Sequence, residues 1–588
     1  MATVTLASEI AVNTSSQVIT FNGAYAFPIA DGSDGQVLTS DGVGGLAFEN
    51  ASSGAFNDLT DASNDTDSAY LPIPGSLGAA SNNTVFGFND GVGNAGAGIT
   101  TGSSNTLVGA SAGALFTTGA NNTCVGSGSG KAMTVLDSNN TMVGFNVGAA
   151  ANGADQLTLM GSGAGAAITT GDNNTIIGYN AGDGFTTGAG NTLMGHSAGT
   201  AMTLADSDNT MIGRDAGAAA VGVDELTLVG SGAGAGITTG TANTIVGFNA
   251  GDGFTTGANN TLMGHNAGTA MTLDAGNNTL VGAAAGDALV QHDDNTMIGY
   301  NAGSAAGVNE LTLVGSGAGA AITLGIDNTI VGFNAGDAFT TGAGNTLMGH
   351  SAGTAMTLAD SDNTMIGRDA GAAAVGVDEL TLVGSGAGAA ITTGTANTAI
   401  GYNAAVALSS NGNNTVIGHT AGKLLTGAQN TLVGASAGDA LSSGSNCTVI
   451  GYNAAASAAT ATNEITLGDT NIINLRCADT TIASLSDRRD KTDIVDSTYG
   501  EEFINRLRPV QFRWQTREGA AKDGSSRVGF IAQELQDAMP DGENDVLDLV
   551  YESNPDRLEA KYGNLVPIMA KAIQELSAKV AALEAAQA

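Results

Sequence analysis

Histidine is the side chain that most often binds metals, and four of the five histidines in this sequence share one local context. Each follows the glycine that ends a short aliphatic run, at His196, His265, His350 and His419. These positions are several repeats apart, so no two of them could ligate one ion within a single chain. A metal ring would require equivalent histidines from several chains. We therefore expect exposed histidines and predict no metal site.

Two glycine-rich segments have the spacing of nucleotide-binding loops. Residues 91–96 (GVGNAG) match the dinucleotide pattern, but the strand and long helix that should surround it are missing. Residues 126–131 (GSGSGK) resemble a phosphate loop, but Ala132 stands where a hydroxyl must face magnesium. A glycan-cleaving site would need paired carboxylates in a groove lined by aromatic side chains, and the sequence has no cluster of Trp or Tyr. It predicts no cofactor and no external substrate.

The composition favours an ordered chain with a thin core. Gly supplies 88 of the 588 residues and aromatic residues only 4%, which excludes a large aromatic core. Disorder would predict few aliphatic residues, whereas short runs of Leu, Val, Ile and Met recur throughout. The three cysteines, Cys124, Cys447 and Cys477, are too few and too scattered for a disulfide framework.

The charge is distributed unevenly along the chain. The formal net charge is -37, and residues 1–485 contain only five of the 18 Lys and Arg residues. An acidic body of this kind repels phosphate groups, so nucleic acid and anionic membranes are not expected partners. No apolar stretch reaches transmembrane length, and the first residues lack a secretory signal. We expect assembly in the host cytoplasm without membrane insertion.

A unit of 16 to 18 residues, roughly N-T-aliphatic-aliphatic-G followed by A-G and a polar turn, repeats along the chain. Its threonine gives 23 copies from Thr84 to Thr466, and residues 186–235 recur identically at 340–389. One such coil buries little apolar surface, so stacked neighbouring coils must supply the core. Gly, Asn and Asp are typical of the turns between its short strands. The pattern predicts a mainly β fold over residues 76–475. We expect a parallel β-roll or β-solenoid rod of roughly 110 Å, with asparagine ladders along the stack.

The repeat resembles the head repeats of trimeric autotransporter adhesins over about residues 80–470. Those head repeats follow an N-S/T-x-x-I/V-G-x-x-A pattern, to which the N-T-aliphatic-aliphatic-G unit of this chain is similar. The resemblance implies a trimeric, left-handed β-roll.

The composition changes sharply at about residue 476, and we call residues 486–588 the C-terminal module. It opens with SDRRDK, continues with LRPVQFRW and VGFIAQEL, and ends with LVPIMAKAIQEL. These motifs closely resemble the endosialidase-type intramolecular chaperone found at the C-termini of phage tail fibres and tailspikes. The resemblance implies a small α+β domain that drives trimerisation.

The end of the C-terminal module has the pattern of a short coiled-coil helix. Its apolar residues recur at spacings of three and four: Val566, Met569, Ile573, Leu576, Val580 and Leu583. Val or Ile at one core position with Leu at the other favours two strands. The expectation of a trimer comes from the chaperone resemblance.

The chaperone resemblance also implies a single-turnover, serine-type self-cleavage. It places the nucleophile at Ser486, its base at Lys491 and the scissile bond after Leu485. A Ser–Lys pair requires a neutral amine, which burial can supply. The two residues would not share a face of a regular helix, so a turn or a neighbouring subunit must join them. Asp490 and Asp493 depart from the family pattern, and an acid beside Lys491 would favour its charged form.

Together these patterns predict an N-terminal attachment region (1–75), the repeats (76–475), a linker (476–485) and the C-terminal module (486–588). We expect a homotrimeric phage tail fibre or spike protein in the virion tail, extracellular after release. Its N-terminal region would bind the baseplate or tail, and its receptor would be a host-surface glycan or protein. A cell-surface adhesin is the first alternative, opposed by the missing signal peptide. A glycan depolymerase is the second, opposed by the missing groove.

Overall fold

The fold is described from a computed structural model, whose contacts divide the chain into an N-terminal unit, Met1–Gly232, and a C-terminal unit, Ala233–Ala588. Before residue 51 the structure describes strands only. Beyond them it describes residues 82–87, 95–134, 137–203, 205–272, 275–357, 359–472, 474–476, 478, 486–515, 521–540, 544–552, 554–556 and 558–588.

The N-terminal unit begins with two small antiparallel arrangements. The first is a three-stranded meander made of β1 (Ile10–Asn13), β2 (Val18–Phe21) and β3 (Tyr25–Pro28). The second is a hairpin made of β4 (Gln36–Ser40) and β5 (Leu46–Asn50). These strands lie in the predicted attachment region, and the rest of residues 1–75 lies outside the described residues.

From residue 82 onward, the described part of the N-terminal unit is a parallel β-solenoid with one short strand per coil. Each strand pairs in parallel with the strand of the next coil, and threonine lies opposite threonine. The strands are β6 (Thr84–Phe86), β7 (Thr106–Val108), β8 (Thr123–Val125), β9 (Thr141–Val143), β10 (Thr158–Met160), β11 (Thr175–Ile177), β12 (Thr192–Met194), β13 (Thr210–Ile212) and β14 (Thr227–Val229).

The C-terminal unit also contains a parallel β-solenoid. Its strands are β15 (Thr244–Val246), β16 (Thr261–Met263), β17 (Thr279–Val281), β18 (Thr296–Ile298), β19 (Thr312–Val314), β20 (Thr329–Val331), β21 (Thr346–Met348), β22 (Thr364–Ile366), β23 (Thr381–Val383), β24 (Thr398–Ile400), β25 (Thr415–Ile417), β26 (Thr431–Val433), β27 (Thr448–Ile450) and β28 (Ile465–Leu467). The described residues between 82 and 472 contain no helix. The predicted mainly β, parallel solenoid fold is therefore confirmed.

The alternation along each strand explains which side chains form the core. In β21 the middle residue Leu347 is fully buried, whereas Met348 is 40% exposed on the outer face. The core between the strands and the turns is filled by small and medium side chains such as Ala352 and Met356, with an occasional ring such as Phe339. Each coil contributes only a few apolar side chains, so coils are stabilised by burial against their neighbours.

Buried asparagines form the expected ladder, because each one joins two coils. In the C-terminal unit, Asn345 Oδ1 accepts from the backbone N of Asn363 at 3.1 Å. Asn345 Nδ2 in turn donates to Asn328 Oδ1 at 3.0 Å and to the carbonyl oxygen of Asp360 at 2.8 Å. Leucine replaces asparagine at some coils, and there the backbone N of Leu380 still donates to Asn363 Oδ1. The ladder therefore satisfies polar groups that the core could not otherwise bury.

The glycine after each strand allows neighbouring coils to approach closely. Gly349 adopts φ +141°, and a Cβ at this position would overlap the carbonyl oxygen of Gly367 in the next coil. Only glycine combines this backbone conformation with so short a separation.

The register of the last coil corrects the threonine count. In β28, Ile465 pairs with Thr448, and Thr466 pairs with the buried Val449. Thr466 therefore occupies the middle position of its strand and is not equivalent to the other threonines. Its hydroxyl donates to Glu464 Oε1 at 2.8 Å, which satisfies a polar side chain at a usually apolar position.

The C-terminal module is a small α+β region built around an apolar cluster. The cluster includes Phe503, Leu535, Leu549 and Ile568. The helices are α1 (Glu501–Ile504), α2 (Ala532–Ala538), α3 (Asn544–Leu547) and α4 (Leu565–Gln587), and the strands are β29 (Val510–Gln515), β30 (Ala521–Gly529), β31 (Val550–Tyr551) and β32 (Glu559–Ala560). Short 3₁₀ helices span Arg488–Asp490 and Tyr562–Asn564. The long helix α4 contains all six residues of the predicted apolar seam.

Candidate functional site

The structure brings together the two residues that the chaperone resemblance implied for self-cleavage. Lys491 Nζ donates a hydrogen bond to Ser486 Oγ at 2.6 Å, within one chain. Both side chains are exposed. Leu485, on the other side of the implied scissile bond, lies outside the described residues. The geometry thus places an amine and a hydroxyl within hydrogen-bond distance at the start of the C-terminal module.

A short turn accounts for this contact. The 3₁₀ helix Arg488–Asp490 lies between the two residues, and the side chain of Asp487 caps it by accepting from the backbone N of Arg489 at 2.9 Å. The Arg489 guanidinium also pairs with the Asp487 carboxylate, with 2.6 Å between Nη2 and Oδ2. Hydrogen bonds from the Arg489 side chain and backbone hold the pKa of Asp487 below its ordinary value. The turn, not a neighbouring subunit, therefore places Lys491 beside Ser486.

The two acidic residues beside Lys491 make other contacts. The backbone N of Asp490 donates to the carbonyl oxygen of Asp487 at 3.1 Å. Asp493 adopts φ +53° and accepts from the Thr492 hydroxyl at 3.3 Å. In the described part of the module, no ion pair joins Lys491 to either carboxylate.

A second polar cluster joins the C-terminal module to the last solenoid coil. Glu464 stands at the position that the asparagine ladder occupies in earlier coils, and it accepts from the Ser457 hydroxyl at 2.6 Å. The Tyr551 hydroxyl donates to Glu464 Oε2 at 3.1 Å, and Asn554 Nδ2 donates to the carbonyl oxygen of Ser457 at 3.0 Å. We call Ser457, Glu464, Tyr551 and Asn554 the junction cluster. Its hydrogen bonds hold the module against the coil in addition to the covalent connection through the chain.

The electrostatics of the junction cluster favour an ionised glutamate. Burial raises the pKa of Glu464, but the hydrogen bonds from Ser457, Thr466 and Tyr551 together bring it below the ordinary value. A carboxylate that accepts several hydrogen bonds is stabilised in its charged form. Sequence reasoning missed this cluster because it aligned Thr466 with the repeat threonines, which places Ile465 and not Glu464 at the ladder position.

The four repeat histidines are exposed, and each stacks on an aromatic ring of the preceding coil. The pairs are Tyr179–His196, Phe248–His265, Phe333–His350 and Tyr402–His419, with ring centroids 5.2 to 5.4 Å apart. Sequence reasoning missed these stacks, although Phe or Tyr stands one repeat before each histidine. Within the described ranges, no group of three His, Cys, Asp or Glu side chains is arranged to hold a metal ion.

The described cysteines are packed in the solenoid core. Burial raises the pKa of the Cys124 thiol to about 12, and it also raises the pKa of Cys447. Both thiols are free, and Cys477 lies outside the described residues. A buried thiol with a raised pKa is a poor nucleophile.

Among the described helices, none is both long and apolar enough to cross a membrane. No curated protein and no solved structure matches the chain. One family model does match, and the matched segment begins at Ser486 and contains the Ser–Lys contact. Residues 486–542 of this β-solenoid protein are similar to the family described as the chaperone of endosialidase.

Proposed function

We propose that the chain is the subunit of a homotrimeric phage tail fibre or spike, with a structural solenoid and a C-terminal chaperone that drives its assembly. One observation carries this proposal: a segment similar to the chaperone of endosialidase follows a long parallel β-solenoid in the same chain. A stack of coils provides reach and surface, and a chaperone segment at its end suits a fibre whose chains must be aligned before they fold.

Helix α4 supplies a surface on which the chains would meet. Its seam residues Ile573 and Leu583 are each 62% exposed in the single chain, and Leu576 is 53% exposed. Leaving such side chains in water is unfavourable, and their spacing suits a coiled coil. Three parallel α4 helices would bury the seam and bring the C-terminal ends of the solenoids together.

The Ser–Lys pair would then cut the chain after assembly. Ser486 Oγ attacks the Leu485 carbonyl carbon while the uncharged Lys491 amine takes the hydroxyl proton. The Leu485–Ser486 peptide bond breaks, and the proton passes to the leaving amine of Ser486. Water hydrolyses the resulting ester and restores the Ser486 hydroxyl. Both side chains are exposed in the single chain, so cover by a neighbouring chain would favour the uncharged amine and couple cleavage to trimerisation.

The virion tail is the proposed location, with the N-terminal region bound to the baseplate or tail and the solenoid directed at a host-surface glycan or protein. Two strand groups, β1–β3 and β4–β5, precede the solenoid and are separate from its repeat. If this is right, purified protein should bind host cells and compete with the phage for attachment. Unchanged infection at saturating protein would argue against a receptor-binding role.

A denaturing gel of the purified protein, with and without boiling, tests the assembly and the cleavage together. We expect an oligomer that resists the detergent until it is boiled. We also expect a body that ends at Leu485 and a separate fragment of residues 486–588 by mass spectrometry. A monomer by sedimentation at micromolar concentration would overturn the proposed trimer. A chain intact through residue 588 after assembly would instead show that the module is retained as a permanent cap.

A further inference from the structure

The outer face of the solenoid in the C-terminal unit has a continuous apolar column. In each strand the middle residue faces the core, and the third residue faces outward. The third residue is apolar in every described strand from β15 to β28. These residues are Val246, Met263, Val281, Ile298, Val314, Val331, Met348, Ile366, Val383, Ile400, Ile417, Val433, Ile450 and Leu467.

Five of these outward side chains are exposed, Met263, Ile298, Met348, Ile450 and Leu467, and the other nine are half-buried. Met263 is 43% exposed, Met348 40% and Ile450 41%. Contiguous exposed apolar surface marks interaction sites in soluble proteins. A column that continues over fourteen coils is therefore a candidate contact surface.

A second column lies two residues further along each coil, where eight of the fourteen coils carry an aromatic residue or histidine and the others include Arg368 and Asp469. It contains the exposed aromatic–histidine stacks Phe248–His265, Phe333–His350 and Tyr402–His419. Tyr300 and Tyr452 occupy the same register position and are 61% and 71% exposed. We call the two columns together the outer band.

The charge pattern restricts what can cover the outer band. The body is strongly acidic, yet the column of third residues carries no charged side chain, and threonine begins all of these strands except β28. Two acidic solenoids could therefore approach through the column of third residues without placing carboxylates against each other, and Asp469 is the one carboxylate in the second column. The coil spacing adds a geometric condition. The outward side chains recur once per strand separation of about 4.8 Å, so a partner that contacts every coil must repeat at the same interval. A second copy of the same chain, parallel and in register, meets that condition at every coil.

We propose that the outer band packs against the outer bands of the other copies, around an axis parallel to the coils. The inference deepens the proposed trimer, on which it rests, by assigning the surface through which the solenoids touch. It places Met263 of one copy beside Met263 of the next. The exposed seam of α4 belongs to the same unit and would set the same parallel alignment.

The test uses the full-length protein with charges introduced inside and outside the outer band. Met263→Glu combined with Met348→Glu places carboxylates in the column. Val290→Glu combined with Leu324→Glu is the matched control, because both residues are exposed apolar side chains at other register positions. We expect the first variant to lose the detergent-resistant oligomer and the control to retain it, with both keeping the circular dichroism spectrum of the solenoid.

A photocrosslinking experiment does not depend on the stability of the charged variants. A photoreactive benzoylphenylalanine in place of Met263 should couple to a second chain, and the same group in place of Leu324 should not. The inference is wrong, and the proposed trimer stands, if the wild type is an oligomer but the crosslinker in place of Met263 does not couple two chains and the variant with Met263→Glu and Met348→Glu still forms the oligomer. If the wild type is a monomer, the proposed trimer and the packing of the outer band are both wrong.

Discussion

The contact between Ser486 and Lys491 shows how much chemistry one short turn can position. The Asp487 cap and the intervening 3₁₀ helix hold the amine 2.6 Å from the hydroxyl without help from the rest of the module. The geometry is therefore present before assembly, while both groups remain exposed. On this view, what the single chain lacks is the dry environment in which the amine can act as a base.

Cleavage should depend on the two functional groups and not on the general charge of the turn. Ser486→Ala and Lys491→Ala should each leave the assembled protein at full length, since each removes one group of the proposed reaction. Asp490→Leu should keep or raise the cleavage rate, because it removes a negative charge close to the amine. Mass spectrometry of freshly assembled protein measures the outcome. Arg488→Ala is the control from the same turn and should still be cleaved, and loss of cleavage in this variant as well would point to disruption of the turn instead.

The junction cluster should make the stability of the module depend on pH. Hydrogen bonds lower the pKa of Glu464 in the folded protein, so its contribution is present above the ordinary glutamate value of about 4.3. That contribution is lost as the pH falls through the lowered value. Thermal unfolding at pH 7 and pH 3 should therefore differ less in Glu464→Gln than in the wild type. The control variant Glu559→Gln changes an exposed glutamate, so its thermal unfolding should differ between pH 7 and pH 3 as much as that of the wild type.

Tyr551→Phe tests the same cluster without changing its charge. It removes one hydrogen bond to a partly exposed carboxylate, for which we expect a loss of about 1 kcal/mol. Hydrogen exchange at residues 550–551 and 559–560 should become faster. Unchanged exchange would mean that the hydrogen bond from Tyr551 to Glu464 does not stabilise this part of the module.

Among the structural elements, the coil is stabilised by its buried asparagine as well as by its apolar side chains. Asn345→Ala leaves the buried backbone N of Asn363 without its acceptor. An unsatisfied buried donor of this kind costs about 2 kcal/mol. Local hydrogen exchange around β21 and β22 should accelerate accordingly. Asn309→Ala, which removes an exposed asparagine, should change stability by less than about 0.5 kcal/mol.

The strands and the asparagine ladder were predictable from the sequence because their period is regular, but the other contacts between coils were missed. Each repeat threonine from Thr84 to Thr448 begins a strand, as the spacing indicated. The exception, Thr466, lies in the last coil, where the register is shifted by one residue. The stacks such as Phe333–His350 require knowing that successive coils place equivalent positions side by side. The contact between Tyr551 and Glu464 joins residues 87 apart, and local patterns carry no information about it.

At the scale of the whole molecule, the α4 seam should decide whether the chains assemble. Ile573→Asp introduces a charge where the helices would meet, and Ile573 is already exposed, so the fold of the single chain should be little affected. We expect sedimentation to show loss of the trimer during expression and refolding. Gln574→Asp places the same charge on α4 outside the seam and should still assemble. If both variants form a trimer, surfaces other than the α4 seam drive assembly.

The uniform register between coils has a consequence for how such a protein can change over generations. Threonine lies opposite threonine at the coils on either side of β16 and again at those of β21. A recombination event that adds or deletes whole coils therefore leaves every remaining interface with a compatible neighbour. The identical segments 186–235 and 340–389 are the trace expected of such an event. Unequal crossing-over can thus change the number of coils without changing the segments on either side of them.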